Sequence, residues 1–349
     1  GVNYLIYPEH LAAQEIITAL EHNWARHWGE LAGGQLLLIG VKLHGMTPLT
    51  NCQIKNLPIE DHFFHIAAIK RNHETIIPNG NDTLLDGDIV FFVTKEKYAD
   101  SVRELCGKRS MSIKRVMIMG GTRIAMRFAM ESEGKFHIKI IEPDRAVCER
   151  LATRLPDCEI EQGDARDVDI LKNSNIRQYD AFLALSDSSE TNILACLTAK
   201  EFGICKTVAD VENLQFISQA ENLNIGTTIN KKLIASSRIF KLLKIREEAI
   251  SFLLASSRIF KLLLDADVDN VKSLALADAE VAELTVRKNA KITHHAVKNL
   301  RLPYGMTLAA VIQNGKCSLV NGDTRIQNGD GVVVFCLNGT IHKVERWFN

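Results

Sequence analysis

Two adjacent glycines between an apolar stretch and a helix-forming stretch are the first residues in this chain to suggest ligand chemistry. Residues 116–129 read VMIMGGTRIAMRFA, and the six positions of a GxGxxG turn are filled by Gly120, Gly121, Thr122, Arg123, Ile124 and Ala125. In such a turn the glycines shape the bend, admit a pyrophosphate and let the helix pack on the strand. Alanine is accepted at the third glycine, whereas Thr122 places a side chain where a phosphate should approach. By itself the motif fits a plain strand-to-helix turn equally well.

Acidic residues then follow two strand-like stretches at informative spacings. The stretch FHIKII runs into Glu142, 22 residues after Gly120, where a carboxylate accepts hydrogen bonds from the hydroxyls of an adenosine ribose. The next stretch, EIEQGDARD, contains Gly163, Asp164 and Ala165, a tight turn that brings a carboxylate and a backbone NH toward an adenine edge. An Asx turn or a helix N-cap is the structural alternative for Asp164. The three features in this order favour a nucleotide site.

Other chemistry-bearing side chains lack the partners that catalysis or metal binding needs. His294 and His295 are adjacent, so they point in different directions on a helix or a strand, and no third ligand is close in sequence. His62 and His65 are predicted to lie in an irregular acidic loop, again without a partner. No nucleophile-elbow pattern surrounds Ser186, and the eight cysteines include no CxxC pair. We predict no catalytic residue and no metal site.

The elements that position the glycine turn belong to one alternating region, residues 112–230. Apolar strand-like stretches (VMIM, HIKII, AFLAL and TVADV) alternate with helical patterns there, which is typical of a parallel sheet with crossover helices. The predicted fold class is therefore α/β with a Rossmann-type parallel-sheet lobe.

Near the N-terminus, Trp24 and Trp28 are four residues apart, and we predict that they pack on one face of a helix.

A repeat flanks this region. At a shift of 242 residues, IAAIKRNHETIIPNG (66–80) aligns with LAAVIQNGKCSLVNG (308–322), and at a shift of 243 IKNL (54–57) aligns with VKNL (297–300). Each copy predicts short strands joined by glycine turns, including the Gly-Asp pairs at 87–88 and 329–330. The chain thus carries two copies of one small α+β lobe, near 32–107 and 275–349.

Composition narrows the functional classes. The chain has 349 residues with 42 basic and 42 acidic side chains, so no net field favours nucleic acid or an anionic bilayer. The most apolar stretch, SFLLASSRIFKLLL, is interrupted by Arg258 and Lys261, so we predict that the chain does not span a membrane by itself. Its first residues, GVNYLIYPEH, lack the pattern of a secretory signal.

The glycine turn, the acid, the GDA turn and DAFLALSDSSETNILACLTAKEFG (180–203) together resemble the regulator-of-potassium-conductance (RCK) family over essentially the whole chain. The resemblance implies tandem units, each with a Rossmann-like TrkA-N lobe and a small TrkA-C lobe. It divides this chain into a crossover helix of a first unit (1–31), a first TrkA-C-like lobe (32–107), a TrkA-N lobe (112–230), a crossover helical segment (231–264) and a second TrkA-C-like lobe (270–349). It also predicts an N-terminal truncation, with a further Rossmann lobe before Gly1.

The resemblance also implies nucleotide contacts. They fall on Gly120, Gly121, Thr122, Arg123, Ile124, Glu142, Arg145, Asp164, Ala165, Ser186 and Asp187. Asp210 is a departure, because many family members carry an arginine there that can meet phosphate charge. An acid at that position favours NAD(H) as the cofactor over ADP or ATP, which we expect to bind more weakly, and Arg123 offsets part of the repulsion. The alternative is a degenerate lobe, with the physiological ligand bound by the missing first lobe.

Two classes of function are compatible with a Rossmann lobe. The family implies a non-enzymatic, cytoplasmic regulatory subunit, peripheral on the inner face of the plasma membrane, that senses a nucleotide and gates a membrane-embedded, TrkH-like potassium transporter subunit as a homo-oligomer (dimer or tetramer). The alternative is an NAD-dependent oxidoreductase. A dehydrogenase needs a catalytic domain with an acid-base residue, whereas two copied small lobes offer paired sites for ligands or subunits. We therefore predict the regulatory subunit.

One stretch, ASSRIFKLL, occurs twice, at 235–243 and 255–263. A straight helix would turn two copies 20 residues apart by roughly 200 degrees beyond whole turns. Their identical apolar faces would then point in nearly opposite directions. We predict a helical region that breaks between 244 and 254, at KIREE, with the copies packed on each other or on a second chain and with one copy less well ordered.

Overall fold

The computed structural model describes residues 5–45, 47–57, 63–72, 74–243, 268–273, 279–337, 340, 343–344 and 346–348. Its internal contacts divide the chain into two compact units. The Rossmann unit comprises Gly1–Arg26 and Ser110–Ile239, and the small-lobe unit comprises His27–Arg109 and Phe240–Asn349. The described helices include none long and apolar enough to cross a bilayer.

The chain begins with helix α1, Pro8–Glu21. Proline suits the first turn of a helix because its missing NH would have no partner there. The apolar residues of α1 recur at helical spacing, and Ala12, Ala13, Ile16, Ile17 and Leu20 are all buried. This confirms a helix over PEHLAAQEIITAL. The predicted segment 1–31 is not helical throughout, however, because its last five residues form a strand.

The first small lobe is an antiparallel sheet. Its strands are β1 (His27–Leu31), β2 (Leu36–Lys42), β3 (Phe64–Arg71), β4 (Glu74–Ile76) and β5 (Ile89–Thr94), in the order β1-β2-β5-β3-β4, and a short helix α2 (Ala99–Leu105) follows. Two predictions from the sequence are wrong here. Trp24 lies beyond the end of α1 and Trp28 lies in β1, so they do not share a helix. His65 lies in β3 rather than in a loop, while His62 is outside the described residues.

The Rossmann unit alternates strands and helices. They are β6 (Arg115–Met119), α3 (Arg123–Glu131), β7 (His137–Glu142), α4 (Arg145–Arg154), β8 (Glu159–Gln162), α5 (Val168–Asn173), β9 (Ala181–Ala184), α6 (Ser189–Glu201), β10 (Lys206–Asp210), α7 (Leu214–Asn222), β11 (Thr227–Ile229) and α8 (Lys231–Leu243). All strand pairs are parallel, in the order β11-β10-β9-β6-β7-β8. The predicted Rossmann-type sheet is confirmed.

Each face of this sheet has its own apolar core. One core joins α1 and α3 to strand residues such as Ile118, Ile140 and Val208. The other joins α5, α6 and α7 to residues such as Met119 and Ala209. Polar contacts also hold α1 on α3, because Glu131 accepts from Gln14 at 2.5 Å and lies 2.6 Å from His10 Nδ1. Because adjacent strand residues such as Ile118 and Met119 belong to different cores, neighbouring side chains on a strand point to opposite faces of the sheet. This alternation determines on which face each strand-end side chain lies.

The second small lobe repeats the first. Its strands are β12 (Val268–Ser273), β13 (Ala279–Thr285), β14 (Met306–Gln313), β15 (Lys316–Leu319) and β16 (Gly331–Leu337), in the order β12-β13-β16-β14-β15. The short helical turns at Ile54–Asn56 and Val297–Asn299 also correspond. Gly87 and Gly329 have the same φ of 85°, a left-handed conformation that favours glycine. The predicted repeat of small α+β lobes is confirmed.

The two small lobes share one apolar core. Ala68, Phe91, Ala310 and Phe335 belong to the same cluster of buried residues, so matching faces of the two sheets are buried together. Polar contacts join equivalent positions as well: His65 Nε2 lies 3.0 Å from the Oγ1 of Thr307, 242 residues further on. Burial lowers the pKa of His65 to about 4, so its ring is neutral at physiological pH.

Only part of the duplicated stretch can be compared with its prediction. The first copy, residues 235–243, lies in α8. The second copy and KIREE lie outside the described residues, and so does the predicted break between 244 and 254.

Candidate functional site

The candidate site lies at the carboxyl edge of the parallel sheet, where the strand order reverses. Strand β6 pairs with β7 on one side and with β9 on the other, and such a switch point is where open α/β sheets bind ligands. Gly120 follows β6 with a φ of 97°. A Cβ added there would lie 3.1 Å from the backbone N and Cα of Ser186. Glycine at this position therefore allows the turn to approach the end of β9.

Gly121 and Glu142 join the turn to the end of β7. The backbone NH of Gly121 donates to Glu142 Oε2 at 2.6 Å, and the NH of Asp144 donates to Glu142 Oε1 at 2.9 Å. A Cβ on Gly121 would lie 2.6 Å from Leu151 Cδ1 and 2.8 Å from Val147 Cγ1. The second glycine thus keeps α4 close to the turn, and two amides fix the carboxylate beside it. Each carboxylate oxygen still has acceptor capacity for a ligand hydroxyl.

Thr122 has a structural role that the glycine pattern did not reveal. Its φ of −73° and ψ of 171° need no glycine, and its Oγ1 accepts from the NH of Ala125 at 3.5 Å as the N-cap of α3. The side chain therefore faces the first turn of the helix. The NH groups of Arg123 and Ile124 have no partner inside the helix, which makes this end suitable for an anion. Arg123 is exposed, whereas the Ile124 side chain is buried, so only its backbone can face a ligand.

The GDA turn does not present a free carboxylate. Two groups of Arg166 donate to the carboxylate of Asp164: the side-chain Nε at 2.9 Å and the backbone NH at 3.0 Å. These hydrogen bonds lower the pKa of Asp164. This is the Asx-type alternative, while the N-cap alternative is wrong because Asp167 caps α5. The side chain of Ala165 is buried in the core. An adenine contact at this turn stays a prediction.

Arg145 and Asp187 lie at the exposed rim of the strand edge. Arg145 begins α4 and pairs with Glu149 at 3.0 Å, one helical turn along. Asp187 is exposed after β9. Neither side chain is fixed in the cleft by the contacts described, so their roles stay predictions.

Asn192 is a residue that sequence reasoning missed. It is fully buried on α6, and its Oδ1 accepts from the NH of Ser186 at 3.0 Å and from its Oγ at 2.6 Å. Its Nδ2 donates to the carbonyl oxygens of Ser186 and Asp210, both at 2.8 Å. The amide thus ties the ends of β9 and β10 together. An asparagine on the same helical face as Cys196 and Ala199 is the signal that could have identified it.

Asp210 ends β10 as a buried acid with an incomplete set of partners. It is 4% exposed, and no donor among the described residues reaches its buried Oδ1. The pKa of Asp210 is raised to about 6, chiefly by burial and also by the charges of Glu212 and Asp187, while Lys231 and Lys232 oppose the shift. Both lysines form ion pairs with Glu212, and the Nζ of Lys232 lies 3.2 Å from Glu212 Oε2. The Oδ1 of this carboxyl group therefore has no hydrogen-bond donor in the described part of the chain.

Metal chemistry finds no support in the described part of the chain. No three histidine, cysteine, aspartate or glutamate side chains there lie close enough together to hold an ion. His294 and His295 are exposed, and the eight cysteines are unpaired.

Protein-family models match both kinds of lobe. The TrkA-N domain model matches residues 116–231, and the TrkA-C domain model matches residues 38–107 and 281–349. Together these segments make up more than half of the chain. The first contains the glycine turn, Glu142 and Asp210, and the other two fall on the repeated lobes.

Individual relatives extend along the chain. The Trk system potassium uptake protein TrkA of Halomonas elongata is 27% identical over 355 residues, covering 99% of this chain and 73% of that protein. Among solved structures, the crystal structure of the GsuK RCK domain covers 100% of this chain and 71% of that chain, with a TM-score of 0.50 and 14% identity. The GsuK channel bound to NAD covers 100% of this chain and 59% of that chain, with a TM-score of 0.49 and 13% identity. The likeness to the GsuK RCK domain shows the shared fold.

Proposed function

Because this chain belongs to the family of proteins built from TrkA-N and TrkA-C domains, we propose that it is a nucleotide-sensing regulatory subunit that gates a membrane potassium transporter. The observation that carries the proposal is the fixed carboxylate of Glu142 beside the glycine turn at the switch point. Relatives named as potassium uptake proteins supply the transport context.

The proposed ligand is NAD(H). The two oxygens of Glu142 are held by backbone amides, so the carboxylate is oriented in advance for the adjacent hydroxyls of the adenosine ribose. The free NH groups that open α3 are suited to the pyrophosphate. Beyond the turn lie the acids Asp187 and Asp210, which oppose the extra charge of a triphosphate. ADP and ATP are therefore proposed as weaker ligands.

The proposed contact set is the one expected from the sequence. It comprises Gly120, Gly121, Thr122, Arg123 and Ile124 at the phosphates, Glu142 at the adenosine ribose, Arg145 nearby, Asp164 and Ala165 at the adenine, and Ser186 and Asp187 beyond the turn. In this set Ile124 acts through its backbone, since its side chain is buried. Asp164 has to keep or exchange its bonds to Arg166 when it meets the base.

The proposed partner is a membrane-embedded potassium transporter subunit of TrkH-like type, contacted from the cytoplasmic face by a homo-oligomer, a dimer or a tetramer, of this chain. The five-part division of the sequence is proposed as the domain organisation. Ligand binding gates the transporter only if the ligand prefers one arrangement of the lobes, and a preference of about 1 to 3 kcal/mol is enough.

Potassium uptake tests the proposed function directly. Cells that express the transporter with and without this subunit should differ in potassium uptake, and the difference should depend on the nucleotide supplied. Uptake that is indifferent to the subunit contradicts the partner. Sustained oxidation of NADH by the purified chain with any of a panel of metabolites contradicts a purely regulatory role and favours an oxidoreductase.

A further inference from the structure

Asp210 and Glu142 lie on the same face of the parallel sheet, on opposite sides of the glycine turn. Two residues before each of them, Val208 and Ile140 belong to the core that contains α3, and side chains two positions apart on a strand share a face. The strand order β10-β9-β6-β7 places two strands between them. A dinucleotide laid across the turn, with its adenosine at Glu142, therefore directs its second nucleoside toward Asp210.

The end of β10 is joined to the turn by a continuous set of contacts. Asn192 bonds the carbonyl of Asp210 and both the backbone and the hydroxyl of Ser186, and Ser186 lies against Gly120. Asp210 is thus held in place by its backbone, while the Oδ1 of its side chain stays without a donor in the described part of the chain. A buried polar atom of this kind is costly unless a further partner completes it.

We propose that Asp210 determines the ligand specificity of this cleft. Its carboxylate accepts a hydrogen bond from a hydroxyl or an amide of the second nucleoside, and while it is ionised it excludes a terminal phosphate. The inference rests on the proposed nucleotide function and deepens it, because it assigns contact with the second nucleoside to Asp210 and makes the exclusion of triphosphates depend on the charge of this one carboxyl group.

Protonation of Asp210 removes the exclusion. The charged groups that face it are Asp187 from the loop after β9, Glu212 from the loop after β10, and Lys231 and Lys232 from α8. The two lysines are engaged with Glu212, so they do not neutralise Asp210 through a direct contact. Since its pKa is raised to about 6, the group is ionised at pH 8 and neutral at pH 5. The cleft should therefore bind a terminal phosphate at acidic pH, where Asp210 is neutral, and exclude it at neutral or alkaline pH.

The test compares ATP and NADH binding by the whole chain and by Asp210→Asn, which keeps the size and an acceptor oxygen but carries no charge. At pH 8 the substitution should tighten ATP binding by about tenfold or more and leave NADH within about threefold. At pH 5 the parent and the variant should agree in ATP affinity within about twofold, because both are then neutral. Comparing the two proteins at one pH cancels the titration of ATP itself.

Two further proteins keep the test decisive. Asp169→Asn makes the same change of charge on α5, at an exposed site, and should leave ATP binding unchanged. Asp210→Ser should reproduce the gain in ATP affinity if the isosteric variant does not fold. If NADH still binds but the parent, Asp210→Asn and Asp210→Ser have equal ATP affinity at pH 8, the inference is wrong and the proposed function is not affected. The inference is also wrong if Asp169→Asn gains as much ATP affinity as Asp210→Asn. A parent that binds no adenine nucleotide overturns the proposed function together with the inference.

Discussion

Lys206 is buried in the Rossmann unit among oxygen acceptors, with other cations as its charged neighbours. Its Nζ donates to Thr227 Oγ1 at 3.1 Å and to the carbonyl of Ala25 at 3.3 Å, so it fastens the segment after α1 to β10 and β11. The pKa of Lys206 is lowered to about 7, chiefly by burial and also by the charges of Arg26 and Lys200. The folded state therefore disfavours the protonated form of Lys206, and protonation of this side chain lowers the free energy of unfolding.

The lowered pKa of Lys206 predicts how the free energy of unfolding depends on pH. A lysine whose pKa falls on folding contributes stability that is present above its unfolded pKa and is lost as pH falls through the folded pKa. The free energy of unfolding should therefore decline between about pH 10 and about pH 7. In Lys206→Met this decline should be reduced in denaturant titrations across that range. The exposed Lys172→Met on α5 serves as control, and a decline of the same size in Lys206→Met and in the parent contradicts the assignment.

Single residues differ in how far the sequence could predict their roles. Gly120 and Glu142 were predictable because a turn and an acid at a fixed spacing reflect the geometry of one strand–helix–strand unit. Asn192 and the missing partner of Asp210 were not, since both depend on the meeting of strand ends that are distant in sequence. Thr122 appeared unsuitable for a phosphate turn because its role as the N-cap of α3 was not recognised.

Helix α1 shows what an element contributes when its apolar face is buried. Ile16 lies in the core formed with α3 and is not exposed at all. Ile16→Ala removes buried carbon and leaves a cavity, so it should lower the free energy of unfolding by about 2 to 4 kcal/mol. Leu194→Ala on α6, at a side chain that is 63% exposed, should change it by less than about 0.5 kcal/mol. Equal losses in the two variants, measured by denaturant unfolding, contradict the packing of α1.

Elements were the most predictable level of this fold. Apolar stretches such as HIKII and AFLAL became strands β7 and β9, and the three-lobe pattern followed from alternation and repeat. The ends of elements were less predictable: α1 ends at Glu21 and β1 begins at His27, although the sequence analysis placed both in one segment, 1–31. Local periodicity specifies the type of an element, but its end depends on contacts with distant strands.

At the scale of the whole molecule, the repeat predicted two alike lobes but not their shared core. Strand alternation reveals which face of a sheet is apolar, yet the surface that covers that face is set in three dimensions. Here each small lobe covers the apolar face of the other, so the two sheets have a common interior. The domain boundaries derived from the sequence stay predictions, as does the behaviour of the second ASSRIFKLL copy.

The central claim is that the Rossmann unit binds a dinucleotide through Glu142, and calorimetric titration with NADH tests it most directly. The parent chain should bind, and Glu142→Ala should bind about ten- to a hundredfold more weakly, since loss of a charge-assisted pair of bonds costs about 1.5 to 3 kcal/mol. Glu104→Ala, at a carboxylate that is 72% exposed on α2, should match the parent. Absence of NADH binding by the parent, or equal affinity of the parent and Glu142→Ala, contradicts the claim.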